Sequence, residues 1–150
     1  MPKPILHTLD VIQNCLMEAA RLICTQENAT MPRRIAAVDL ATGRITPIYD
    51  PNPEFARLRL GTVERLTWRN NVGIPAWGDL VLPPAYRAGT GKLPMIVVQY
   101  RSVGFLRGGI GDEYPIFAFT ARGYAVLSIE ARGFCHHRQI RAVAGGAVHA

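Results

Sequence analysis

Two serines are the only candidates for a serine nucleophile in this chain, and neither stands in a nucleophile motif. Ser102 and Ser128 are the only serines among 150 residues, and no G-x-S-x-G sequence occurs. That motif exposes its serine on a sharp strand-to-helix turn, whereas Ser128 lies within the apolar run YAVLSIE, which is typical of a strand. These 150 residues therefore provide no catalytic triad, and we expect the chain to be inactive alone.

Motifs for phosphate and dinucleotide binding are incomplete. Gly91-Lys92 lacks the Ser or Thr that must follow in a phosphate-binding loop. Gly109 and Gly111 lie between a predicted strand and a predicted helix, but Tyr114 occupies the third glycine position of a dinucleotide fingerprint. We expect neither of these sites in the chain.

Cysteine and histidine are too few and too scattered to predict a metal site. Cys15, Cys24 and Cys135 are odd in number and form no C-x-x-C pair, so we expect thiols rather than a disulfide framework. His136 and His137 are adjacent, and neighbouring side chains of an extended segment point to opposite sides. We therefore expect no metal and no other cofactor.

The composition is that of a globular chain with a moderate basic excess. Hydrophobic residues make up 49%, and 17 Lys and Arg against 11 Asp and Glu give a net charge of +6. The basic residues are spread along the chain rather than gathered in a patch, so we expect no nucleic-acid partner. No apolar run is long enough to span a membrane and no signal peptide is evident, so we expect no membrane partner and a cytoplasmic location.

The first part of the chain is typical of short antiparallel strands. Ile12, Leu16 and Ala19 stand at helical spacing and predict one amphipathic helix within residues 1–20. After it, β-branched and apolar residues predict strands. The predicted strands are RLICTQE, RRIAAVDL and ITPIY, TVERLTWR and AWGDLVLP, with a connector at DPNPEF and a turn at residues 70–73.

The pattern changes beyond residue 94 to one that predicts a parallel strand pair. PMIVVQY is a continuous apolar run, which is typical of a central strand covered on both faces. Asp112 could cap a helix from about Glu113 to Arg122, with Gly123 as its left-handed C-terminal residue. YAVLSIE follows as a second strand, so residues 94–130 predict a βαβ unit.

Residues 77–133 resemble the start of the catalytic α/β-hydrolase domain in the prolyl oligopeptidase family of serine peptidases. The order of features is similar: a strand ending in LPP, a Gly-rich loop, a strand ending in Tyr100, another Gly-rich loop, and a helix leading to RGYAVL. Upstream, VDLATGRITPIYDPNP resembles the closing strands of the family's β-propeller. Within the family, QYRSVGFLRGGIGDEYP is most similar to the lasso peptide isopeptidases, which open the isopeptide bond of threaded lasso peptides.

The resemblance implies serine acyl transfer on an amide or isopeptide bond of a peptide substrate, without a cofactor. Tyr100 matches the tyrosine whose hydroxyl helps to form the oxyanion hole of this family. A phenol at the end of a strand can donate to the negative oxygen that develops in acyl transfer. Arg101, Arg107 and Glu113 belong to the following loop and are candidates for substrate binding.

The resemblance also implies that the domains are incomplete. Residues 1–61 would be a remnant of the closing propeller strands, residues 62–133 the start of the α/β-hydrolase domain, and residues 134–150 a divergent tail. The family's Ser, Asp and His would lie further along than this chain reaches, so we expect a fragment. The alternative is a small basic, non-catalytic module that binds nucleic acid or a protein partner. The sequence gives no prediction of oligomeric state.

Overall fold

The computed structural model describes residues 4–106 and 115–130 and, for Tyr100, the backbone alone. These residues form two four-stranded sheets, one antiparallel and one mixed. The elements are β1 (Val11–Glu18), β2 (Arg21–Asn28), β3 (Met31–Asp39), β4 (Ile45–Tyr49), a 3-10 helix (Pro53–Arg57), β5 (Thr62–Arg69), β6 (Pro75–Leu82), β7 (Met95–Tyr100), α1 (Ile116–Ala121) and β8 (Ala125–Glu130).

The first sheet is an antiparallel meander in the order β1-β2-β3-β4. Side chains that alternate along the strands bury Ile12, Cys24 and Val38 on one face. Asp39 closes the turn after β3, because its carboxylate accepts hydrogen bonds from the Thr42 hydroxyl and backbone N–H at 2.7 and 2.8 Å. These bonds, the hydroxyl first, lower the pKa of Asp39 below its ordinary value.

The helix predicted within residues 1–20 is wrong, because this segment contains strand β1. A bulge between Gln13 and Leu16 shifts the register against β2, and Asn14 takes a positive φ of 54° there. The bulge breaks the two-residue alternation that would have revealed a strand. Pairing with β2 decides the conformation, and Leu16 is left exposed.

The expectation that the cysteines are thiols is wrong for two of the three. Cys15, in the bulge of β1, forms a disulfide with Cys24 of β2, and their Cα atoms are 4.1 Å apart. The two residues are nine positions apart in sequence, so a count of cysteines and a search for C-x-x-C could not find them. Only the hairpin brings them together. Cys135 lies outside the described residues.

The second sheet has the order β5-β6-β8-β7. The predicted hairpin forms β5 and β6, and its turn is held by the Asn70 side chain, which accepts hydrogen bonds from the N–H groups of Val72 and Ile74. β6 then pairs antiparallel with β8, and β8 pairs parallel with β7. Gly78 permits the close approach of β6 to β8, because a Cβ there would lie 2.6 Å from the Ser128 carbonyl oxygen.

Strand, helix and strand follow one another as predicted. Within the described residues β7 pairs with β8 on one side, and the central position of the strand at 94–100 stays a prediction. Met95 and Val97 are exposed, while Val98 is buried. The described helix α1 begins at Ile116 rather than at Glu113, and its end matches the prediction, because Gly123 follows the C-cap residue Arg122 with a φ of +89°. Asp112, the predicted N-terminal cap, lies outside the described residues.

The core of the second sheet lies beneath α1. It contains side chains from β6, β7, β8, α1 and the segment after β7, namely Val81, Val98, Leu106, Ile116 and Val126. No helix in the described ranges is long and apolar enough to cross a membrane.

The cross-strand disulfide should be detectable by proteolysis and should stabilise the fold. Trypsin cleaves after Arg21, between the two cysteines, but not at Lys3, which precedes proline. Digestion of the unreduced, air-oxidised protein should therefore yield peptides 1–21 and 22–33 joined by a disulfide, as measured by mass spectrometry. Cys15→Ser should lower the free energy of unfolding by about 2–3 kcal/mol, the loop-closure value for a loop of roughly ten residues.

The control for the tryptic digest is the same digest after reduction, in which the two peptides separate. Recovery of peptide 1–21 with an alkylated Cys15 from the unreduced, oxidised sample would contradict the disulfide.

Candidate functional site

The candidate site lies at the edge of the second sheet that is formed by the carboxyl ends of β7 and β8. The two strands are parallel, so their carboxyl ends meet at the same edge, and Tyr100 is in register with Glu130. Ligands of such sheets bind outside the carboxyl ends of the strands. The sequence-predicted site begins at this edge, with Tyr100 as the last residue of β7.

The structure describes only part of the predicted site. Arg101 follows Tyr100 directly and is exposed to solvent. Arg107 and Glu113 lie outside the described residues, so their predicted roles in substrate binding stay predictions. The role of the Tyr100 hydroxyl also stays a prediction.

A buried carboxylate, which the sequence analysis missed, lies beside this edge. The side chain of Asp79 on β6 is 3% exposed and forms an ion pair with Arg65 on β5. The pair has two parallel hydrogen bonds, from Nε to Oδ1 at 2.8 Å and from Nη2 to Oδ2 at 2.9 Å. The guanidinium carbon also lies 3.9 Å from the ring centroid of Trp77. Arg65 is thus held in one orientation by a fork of hydrogen bonds and a cation–π contact.

The segment after β7 folds back onto this carboxylate. The Ser102 hydroxyl donates to Oδ2 of Asp79 at 2.8 Å, and the Ser102 backbone N–H donates to Oε2 of Glu130 at 3.0 Å. The Ser128 hydroxyl donates to the Arg101 carbonyl oxygen at 3.4 Å. Ser102 and Ser128 are both fully buried, so neither hydroxyl is presented to solvent as a nucleophile would be.

The same segment also contacts the first sheet. The Leu106 N–H donates to the Ala29 carbonyl oxygen in the β2–β3 turn at 3.1 Å. Gly104 has a φ of +71°, and a Cβ there would lie 2.8 Å from the Glu27 carboxyl carbon. Phe105 packs between the rings of Phe55 and Phe117, with centroid distances of 5.3 and 5.6 Å. Residues 101–106 are therefore fixed from both sheets.

The hairpin register carried a signal that could have identified Arg65 and Asp79. In a two-stranded hairpin, residues at equal distance from the turn face each other, and a turn centred on residues 70–74 pairs position 65 with position 79. An Arg opposite an Asp predicts a cross-strand ion pair. Ser102 had no comparable signal, because its contact with Asp79 depends on how an irregular segment folds back.

Within residues 4–106 and 115–130, no group of three or more His, Cys, Asp or Glu side chains could hold a metal ion. The acidic groups at the candidate edge, Asp79 and Glu130, are instead occupied by hydrogen bonds from protein donors. This arrangement can hold a backbone segment in place at the edge where Tyr100 ends β7.

Comparison with known proteins identifies relatives that are much longer than this chain. No protein-family model matches it. The lasso peptide isopeptidase AtxE2 of Asticcacaulis excentricus is 52% identical over 130 residues, which is 87% of this chain and 19% of AtxE2. The chain therefore spans about a fifth of that relative.

Solved structures agree with the sequence match. A serine-to-alanine variant of AtxE2 with Astexin3-dC4 bound superposes with a TM-score of 0.80 at 52% identity, covering 84% of this chain and 19% of that one. The AtxE2 apo structure superposes with a TM-score of 0.76 at 53% identity and covers 81% of this chain and 18% of that one. An acylaminoacyl peptidase of Pyrococcus horikoshii superposes with a TM-score of 0.57 at 20% identity and covers 85% of this chain and 21% of that one. This last match is a likeness of fold alone.

The resemblance predicted from the sequence is thereby confirmed. Over most of its length this chain is similar in sequence and fold to one part of a lasso peptide isopeptidase, and similar in fold to acylaminoacyl peptidases of the prolyl oligopeptidase family.

Proposed function

We propose that this chain is part of a serine peptidase that opens the isopeptide or amide bond of a lasso peptide by acyl transfer. In this mechanism a serine attacks the carbonyl carbon, the amine leaves with a proton, and water releases the acyl group. The nucleophile, its base and the orienting acid would come from outside these 150 residues. The chain would supply the edge of the site at the end of β7.

The proposal rests on the match to AtxE2. At 52% identity over 87% of the chain, this relative carries the name of an isopeptidase, and its structure was solved with the peptide Astexin3-dC4 bound. Under this proposal residues 1–61 belong to a β-propeller, residues 62–133 begin an α/β-hydrolase domain, and residues 134–150 form a divergent tail.

Tyr100 would donate its hydroxyl to the oxyanion of the tetrahedral intermediate. Support comes from its place at the carboxyl end of β7, beside the end of the parallel strand β8. A donor fixed at such an edge stabilises charge that develops only in the transition state. Arg101, Arg107 and Glu113 would contact the peptide from the loop that follows.

A chimera tests the proposed function. The segment of AtxE2 that matches this chain is replaced by the chain's own residues, and opening of a lasso isopeptide bond is followed by mass spectrometry as the addition of one water. We expect an active chimera. A folded but inactive chimera, beside active AtxE2 in the same assay, would contradict the proposal.

Tyr100→Phe in this chimera should lower kcat by about 10²–10³, because one oxyanion-hole donor is worth that much. KM should change less, since the hydroxyl acts mainly on the transition state. Tyr86→Phe, at a phenol in the loop after β6, is the control and should leave both constants unchanged. An unchanged kcat in a folded Tyr100→Phe chimera would remove Tyr100 from the site.

The 150-residue chain by itself should not react with a fluorophosphonate probe. The chain contains no G-x-S-x-G, and both of its serines are buried, with Ser102 hydrogen-bonded to Asp79. Intact mass measurement after incubation should show no added phosphonyl group, while AtxE2 treated in parallel is labelled. Stoichiometric labelling of the chain at Ser102 or Ser128 is the result that would overturn this prediction.

A further inference from the structure

Ser102 has contacts that a residue of a simple surface loop would not need. It stands two positions after Tyr100, is fully buried, and is anchored by both its hydroxyl and its backbone N–H. The two acceptors, Asp79 and Glu130, belong to different strands. The backbone just beyond β7 is therefore tied to two neighbouring strands at one residue.

The acceptor of the hydroxyl is itself rigid. Asp79 is buried and paired through two bonds with Arg65, which also lies against Trp77. Ion pairs of this kind are not an efficient source of stability, because desolvation offsets most of the Coulomb attraction. They do fix geometry, because each oxygen of the carboxylate has a defined donor.

We infer that Ser102 is a positioning residue, which holds the end of β7, and with it Tyr100, by bonding to the Arg65–Asp79 pair and to Glu130. The inference rests on the proposed function for its catalytic consequence, while the anchoring of the backbone stands on the contacts alone. Misplacement of a reacting group by about 1 Å can cost on the order of 10²-fold in rate. Loss of the Ser102 hydroxyl should therefore misplace Tyr100 and lower the reaction rate.

The anchoring is tested first in the 150-residue chain. Hydrogen exchange measured by NMR should show a protected Ser102 amide, and Glu130→Ala should speed its exchange by about tenfold or more, as expected when a local bond is lost. Glu130→Gln keeps a carbonyl acceptor and should preserve most of the protection. An unprotected Ser102 amide in the parent chain would overturn the inference.

The consequence for Tyr100 is tested in the AtxE2 chimera. Ser102→Ala should lower kcat by about 10–100-fold with a change in KM below about threefold. In a Tyr100→Phe background the same substitution should have little further effect, because residues that act through one another are not additive. Thr120→Val removes another buried hydroxyl, in α1, and should leave kcat unchanged.

The outcomes separate the two proposals. If the chimera is active and sensitive to Tyr100→Phe but indifferent to Ser102→Ala, the positioning role is wrong and the proposed function stands. If Ser102→Ala costs the same in both backgrounds, Ser102 does not act through Tyr100 and the inference is wrong. An inactive parent chimera overturns the proposed function and the catalytic role of Ser102 together, while exchange still decides whether Ser102 anchors the strand end.

Discussion

The buried carboxylate of Asp79 is the group on which the second sheet depends. It accepts hydrogen bonds from Arg65 on one side and Ser102 on the other, and so joins β5, β6 and the segment after β7. A charge that is 3% exposed is tolerated only because it is fully paired. If either donor were removed, the carboxylate would keep its desolvation cost with fewer bonds to offset it. Sheet geometry and site geometry are therefore set by the same contacts.

The main features of the fold could be predicted from the sequence where the pattern is local. The β5–β6 hairpin followed from alternating side chains around the turn at Asn70, and the parallel strands followed from the apolar runs on either side of α1. Tyr100 and Arg101 could be named through the resemblance to a known family. The contacts around these residues could not be predicted, because they join segments that are distant from one another in sequence.

The errors share one cause, which is that neighbouring strands override the local pattern. The bulge at Asn14 interrupts the two-residue alternation of β1, so the apolar residues fall at helical spacing and predict a helix. The pairing of β1 with β2 brings Cys15 next to Cys24. The expected cytoplasmic location stays a prediction.

The contact between the β2–β3 turn and residues 101–106 bears on how such proteins can be recombined. The Ala29 carbonyl bonds to Leu106, and Glu27 lies against Gly104, although more than 70 positions separate the two segments in the chain. A graft that exchanged only the part after residue 61 would pair a foreign turn with this segment. Both sheets must therefore be transferred as one cassette if the end of β7 is to keep its native shape in a new host protein.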